Sequence, residues 1–80
     1  MKGYIKNHDR CFSYVTYMIK RLREEQRVPQ WMMAKRMNIS RQTYSKKEDT
    51  PEEMSLEEFF QVADLLGVRA EDLIRERTGE

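Results

Sequence analysis

The sequence predicts an all-α fold, five helices around one small core preceded by a short N-terminal arm. Three observations predict it. Apolar residues recur at three- and four-residue spacing in separate stretches, helix-starting and helix-stopping residues bound those stretches, and no segment alternates with the two-residue period of a strand.

Residues 1–11 mix Gly3, Asn7, His8 and Asp9 with Tyr4 and Ile5 and hold no sustained period, so they are expected as an arm, and residues 12–80 as the domain. From Phe12 to Gln26, Val15, Ile19 and Leu22 form one helix face, Tyr14 and Met18 flank it, and Ser13 suits the N-cap. That first helix should stop near Arg27. Pro29 disfavours a helical Val28 and is itself welcome at the start of a new helix. The second helix is expected over about 30–37, with Met33, Ala34 and Met37 inward and Asn38 able to end it in a left-handed conformation. After Ile39, Ser40 caps a third helix of about 41–48 whose inward residue is Tyr44, so two short helices are joined by a turn of about three residues.

Residues Asp49 to Met54 read as a loop. Ser55-Leu56-Glu57-Glu58 is a capping box for a fourth helix, with Leu56, Phe59, Phe60, Val62, Ala63 and Leu66 expected inward and Gly67 closing it. Val68 staples the exit, and a fifth helix from Ala70 to about Arg77 carries Leu73 and Ile74.

Eighty residues hold one core and little more, and a chain of this size buries only ~60% of its unfolded surface. No apolar run approaches the ~20 residues of a membrane span, and Met1-Lys2-Gly3-Tyr4 does not open a secretory signal, so a cytoplasmic protein is expected. Cys11 is the single cysteine, which excludes an internal disulfide. His8, with Asp9 and Cys11 beside it, makes no convincing metal set, and one His and one Cys without an orienting partner give no basis for nucleophilic catalysis; neither enzyme activity nor a cofactor is expected. Net charge is +1, yet it is divided: up to Lys47 there are twelve basic and three acidic residues, and from Glu48 on there are three basic and eleven acidic. Such polarity suits a basic face for an anionic partner, or two halves that attract each other.

The run Ile19-Lys-Arg-Leu-Arg-Glu-Glu, followed by Gln30, Ala34, Met37-Asn38-Ile39-Ser40, Glu48, Ser55-Leu56 and Ala63-Asp-Leu-Leu-Gly67-Val68, resembles the Cro and repressor type of helix-turn-helix protein, also called the xenobiotic-response-element type. The resemblance runs from Ile19 to Val68 without insertion or deletion. It implies a compact five-helix, lambda-repressor-like DNA-binding domain. A phage or bacterial repressor, acting in the cytoplasm on the nucleoid as a homodimer on a double-stranded DNA operator, is the function it implies.

In that family the third helix enters the major groove. Carried over by position, the resemblance makes Arg41, Gln42 and Lys46 base-contacting and puts Thr43 and Gln30 near the backbone, and the basic side chains of Lys47 and Arg36 are expected to add backbone contacts. The chemistry agrees: Arg and Lys donate to guanine O6 and N7, Gln pairs with adenine, and a helix N-terminus such as that of Gln30 offers donors to phosphate. Arg23 and Glu48 match a structural ion pair joining the first helix to the end of the third.

The chain departs from the pattern at identifiable places. Arg27 and Thr50 stand where the family has glycines, so both turns are expected to be remodelled, and Lys47 stands at an apolar position that packs on the fourth helix. Asp49-Thr50-Pro51-Glu52-Glu53 occupies the loop that holds phosphates in the family, and carboxylates there would repel them. Trp31 and Met32 replace polar outward residues; they either cover the N-terminal arm or mark a contact with another chain. The alternative function is therefore a protein-interaction module of antitoxin or phage-adaptor kind, using Trp31, Met32 and the acidic loop.

Overall fold

The computed structural model describes residues 2–74, with side chains from residue 12 onward. Their order is α1 (Lys2–Glu25), α2 (Gln30–Met37), α3 (Arg41–Asp49), a 3-10 turn (Pro51–Glu53), α4 (Leu56–Leu66) and α5 (Ala70–Ile74). The described residues are thus five α-helices and their connections, the all-α fold class expected. Residues 75–77, assigned to the fifth helix from sequence, lie outside the described residues, as do the side chains of His8 and Cys11.

The expected N-terminal arm is corrected. From Lys2 onward those residues belong to α1, which runs 24 residues without a break, and Ser13 lies inside the helix rather than at its cap. Asn7, His8 and Asp9 are mediocre helix formers, at a cost of up to ~0.7 kcal/mol each. Extending an existing helix needs no new nucleus, and neither proline nor internal glycine interrupts the stretch after Gly3.

Three of the helix ends share one device. Arg27, Asn38 and Gly67 take left-handed φ values of 58°, 61° and 75°. Each is followed by an apolar residue whose N–H reaches back to a carbonyl of the last turn: Val28 to Arg23, Ile39 to Ala34, and Val68 to Ala63. Val28, Ile39 and Val68 all pack against the core, so each turn combines backbone satisfaction with burial. Asn38 and Gly67 enter that region readily, whereas Arg27 carries a Cβ into it. Thr50 solves its turn differently. Its φ is −129°, its Oγ1 donates to Lys46 O at 2.7 Å, and no glycine is required.

The starts of α3 and α4 follow the sequence closely. Ser40 Oγ accepts the Thr43 N–H at 3.0 Å, and Ser55 and Glu58 form both bonds of the capping box. The core is Val15 and Ile19 of α1, Met33, Ala34 and Met37 of α2, Tyr44 of α3, Val62, Ala63 and Leu66 of α4, and Leu73 of α5. Each of the Val, Ile, Leu and Met side chains among them contributes roughly 1.5–3 kcal/mol through burial, and the two alanines less.

Two residues expected inward are at the surface: Leu56 is 72% exposed and Phe60 50%. The stripe that α4 buries is Phe59, Val62, Ala63 and Leu66, at the offsets 0, 3, 4 and 7 of a single helix face. Phe60 is one residue, or 100°, off that stripe, and Leu56 sits at the open first turn. Met32, expected outward, is half-buried beside the core stripe of α2, while Trp31 remains 54% exposed.

Candidate nucleic-acid interface

Helix α3 has two sides of different character. Tyr44 and Glu48, four residues apart, are its buried edge. Lys46 falls midway between them and so projects from the opposite side, where Gln42 and Thr43 are also exposed. Arg41, the first residue of the helix, is exposed as well. The Ser40 hydroxyl both caps the helix and donates to Thr43 Oγ1 at 2.8 Å, which ties the first turn of α3 to the connection from α2. Gln42, Thr43 and Lys46 therefore share one solvent-facing surface, while Arg41, exposed at the helix start, lies at the edge of the side that carries Tyr44 and Glu48.

The buried edge is a carboxylate enclosed by donors. Glu48 is 0% exposed, and its Oε2 accepts from Arg23 Nε at 2.8 Å and Tyr44 OH at 2.7 Å. Oε1 accepts from Arg23 Nη2 at 3.1 Å and from Gln30 Nε2 at 3.0 Å. Its backbone carbonyl takes the Thr16 hydroxyl of α1 at 2.9 Å, and Arg23 Nη1 closes the turn by donating to Val28 O. Among the described residues no buried side-chain polar atom lacks a partner. Burial opposes the charge on Arg23, but its hydrogen bonds to Glu48 and the carboxylate charge outweigh that and raise its pKa. Burial, and then the bond to Glu48, push the Tyr44 phenol far above its ordinary range.

Gln30, expected beside a phosphate, therefore has structural partners. Its amide nitrogen is on Glu48, and its oxygen lies 3.4 Å from Arg41 Nη1. Lys47, also expected near the backbone, is directed to α4, with Nζ 3.1 Å from Glu58 Oε1. It replaces the apolar contact of the family pattern with a half-buried ion pair. The Ser55 N–H above all, with Lys47 added, holds the Glu58 carboxyl below its usual range despite some desolvation. Arg36 and Lys35 are exposed on α2.

The acidic segment divides into two parts. Asp49 is neutralised by Lys20 of α1 at 3.1 Å. Glu52 and Glu53 stay exposed on the 3-10 turn, which Pro51 anchors by its own burial. The ion pair of Arg23 and Glu48 is where the sequence pattern placed it, but the bonds of Gln30 and Tyr44 to the same carboxylate, and of Thr16 to the Glu48 backbone carbonyl, were not anticipated. Only one of them left a sequence signal, the four-residue spacing of Tyr44 and Glu48.

Among the described residues no helix is long and apolar enough to cross a membrane, and no three His, Cys, Asp or Glu side chains are grouped to hold a metal ion. Comparison with protein-family models, with curated proteins and with solved structures gives no match.

Proposed function

We propose that this chain is a cytoplasmic DNA-binding transcription regulator of the Cro and repressor helix-turn-helix type, binding duplex DNA as a homodimer. The observation that carries the reading is the exposed side of α3, where Gln42, Thr43 and Lys46 stand opposite the buried Tyr44 and Glu48, with Arg41 exposed at the helix start beside them. Arg41, Gln42 and Lys46 carry donors suited to base edges in the major groove, and the Thr43 hydroxyl suits a backbone contact. The exposed ion pair of Asp49 with Lys20 weakens the opposition of one loop carboxylate to phosphate. Leu56, Phe60 and Ile74 add exposed apolar surface of the kind a dimer buries. The reading calls for no cofactor and no catalysis.

Selection of bound sequences from random duplex DNA tests it. A two-fold-symmetric site with half-sites about one helical turn, ~34 Å, apart is the expected result. Failure to enrich any sequence, together with no duplex binding at low salt, sinks the proposal.

A second reading, a protein-interaction module, is favoured by the exposed indole of Trp31 and the exposed carboxylates of Glu52 and Glu53. It predicts no duplex binding at any salt concentration.

A further inference from the structure

Two exposed surfaces of the chain are opposite in character. On α2, Trp31 and Lys35 are four residues apart, as are Met32 and Arg36, so these four form the side turned away from the buried Met33, Ala34 and Met37. Trp31 is 54% exposed and Met32 half-buried, and Lys35 and Arg36 stand exposed one turn further on. The result is an aromatic knob beside two positive charges. Between α4 and α5 lies an open groove of about 460 Å³, lined by Phe59, Ala70 and the exposed Leu56, Phe60 and Ile74. Glu57 and Asp64, three residues before Phe60 and four after it, are exposed beside that groove. No ion pair among the described residues engages Lys35, Arg36, Glu57 or Asp64, whereas Arg69 and Glu71 at the groove edge pair with each other.

We infer that the α4–α5 groove is filled by Trp31 of a second copy of this chain, with Lys35 and Arg36 of that copy against Glu57 and Asp64. The inference rests on the homodimer of the reading above and names its surface. Within one chain the two parts do not meet, since the indole stays half exposed and is not among the groove's lining residues. Charge decides the occupant. Pairing the groove with itself about a two-fold axis would bring Glu57 and Asp64 toward the same acids of the other copy, and like charges across an interface oppose association. The outer side of α2 supplies the opposite sign together with an exposed tryptophan, the side chain best suited to anchor an interface in a pocket. In a two-fold dimer each copy gives its knob and receives the other's, so the contact is made twice.

Sedimentation equilibrium of the full chain without DNA tests the contact apart from any operator. Trp31→Ala and Phe60→Ala remove opposite sides of it, and each should weaken dimerisation about a hundredfold, because one change is felt in both contacts. An equimolar mixture of the two variants keeps one contact intact, between Trp31 of one and Phe60 of the other. It should dimerise about tenfold more tightly than either variant alone. Lys35→Glu with Arg36→Glu should also weaken the dimer, and adding Glu57→Lys with Asp64→Lys should restore it. Trp31 is the single tryptophan, so its emission should move to shorter wavelength as the parent chain associates. A dimer that Trp31→Ala leaves intact, or a mixture no tighter than its components, overturns the inference. Weakening by Phe60→Ala alone would then leave the homodimer standing, with the groove paired to itself. A parent chain still monomeric at about 1 mM removes the inference and the homodimer together. Trp31 and Phe60 are both half exposed, so both variants should fold, as thermal melting will verify.

Discussion

The Arg23 guanidinium meets the Glu48 carboxylate side-on, with Nε 2.8 Å from Oε2 and Nη2 3.1 Å from Oε1, across a separation of 25 residues in sequence. Arg23 is on α1 and Glu48 near the end of α3, so the pair links the first helix to the third. Because Glu48 has no solvent to return to, removing its cation should cost far more than the pair stabilises. Arg23→Met is expected to lower stability by about 3–5 kcal/mol in urea unfolding. Arg23→Met combined with Glu48→Met should cost clearly less than the sum of the two single changes. Additive losses would show that the charges do not depend on one another.

Tyr44 gives a pH dependence of definite sign. Its phenol keeps its proton in the folded state to a higher pH than in the unfolded chain, because burial and the bond to Glu48 both disfavour the phenolate. The associated stability is complete below the unfolded pKa of about 10 and falls as the pH rises above it. Tyr44→Phe should lower stability at neutral pH by about 1.5–3 kcal/mol, the range for a hydrogen bond to a charged group, and should flatten the decline above pH 10. Stability curves for the two proteins that stay parallel from neutral to alkaline pH would contradict this account.

The features legible in the sequence are those with local causes. The limits of α2 and α3 follow from Pro29, Asn38 and Ser40, and the start of α4 from the Ser55–Glu58 box, because a cap acts over three or four residues. The N-terminal half of α1 was not legible, since its residues are weak helix formers individually and continue a helix nucleated elsewhere. Leu56 and Phe60 were misplaced because apolar character alone does not say which of two adjacent stripes meets a neighbour. The Gln30–Glu48 bond depends on how α2 and α3 sit side by side, and no spacing in the sequence encodes it.

Two turns that look alike by family pattern should respond oppositely to glycine. Arg27 is exposed and held at φ 58°, where a Cβ is strained, so Arg27→Gly is expected to raise stability by about 1 kcal/mol. Thr50 has a negative φ and a hydroxyl bonded to Lys46 O, so Thr50→Gly should lower it by a similar amount. Thermal midpoints that move in the same direction for both variants would rule out this distinction.

Position on α4 separates residues of one type. Leu66 is fully buried and Leu56 is at the surface, so Leu66→Ala should cost about 2–5 kcal/mol and Leu56→Ala under about 0.5 kcal/mol. Urea midpoints measured on dilute protein decide it, and a large loss for Leu56→Ala would mean that its exposed side chain is covered by another chain.

Specific and general contributions to DNA binding should separate by residue. Gln42 stands on the exposed side of α3 and its amide has no hydrogen-bond partner among the described residues, so Gln42→Ala should cut affinity for a selected operator by a factor of about 5–150. A scrambled duplex has no matched base at that position, and binding to it should change little. Gln30→Ala, by contrast, should weaken binding to both duplexes if the amide meets the phosphate backbone, which carries no sequence information. The exposed Glu52 and Glu53 supply the opposite control: Glu52→Gln with Glu53→Gln should strengthen binding to matched and scrambled duplexes alike, most visibly at low salt, if the 3-10 turn approaches phosphate. Gel shifts on the two duplexes at several salt concentrations resolve all three effects, and equal losses on both duplexes for Gln42→Ala would remove it from the base-reading set.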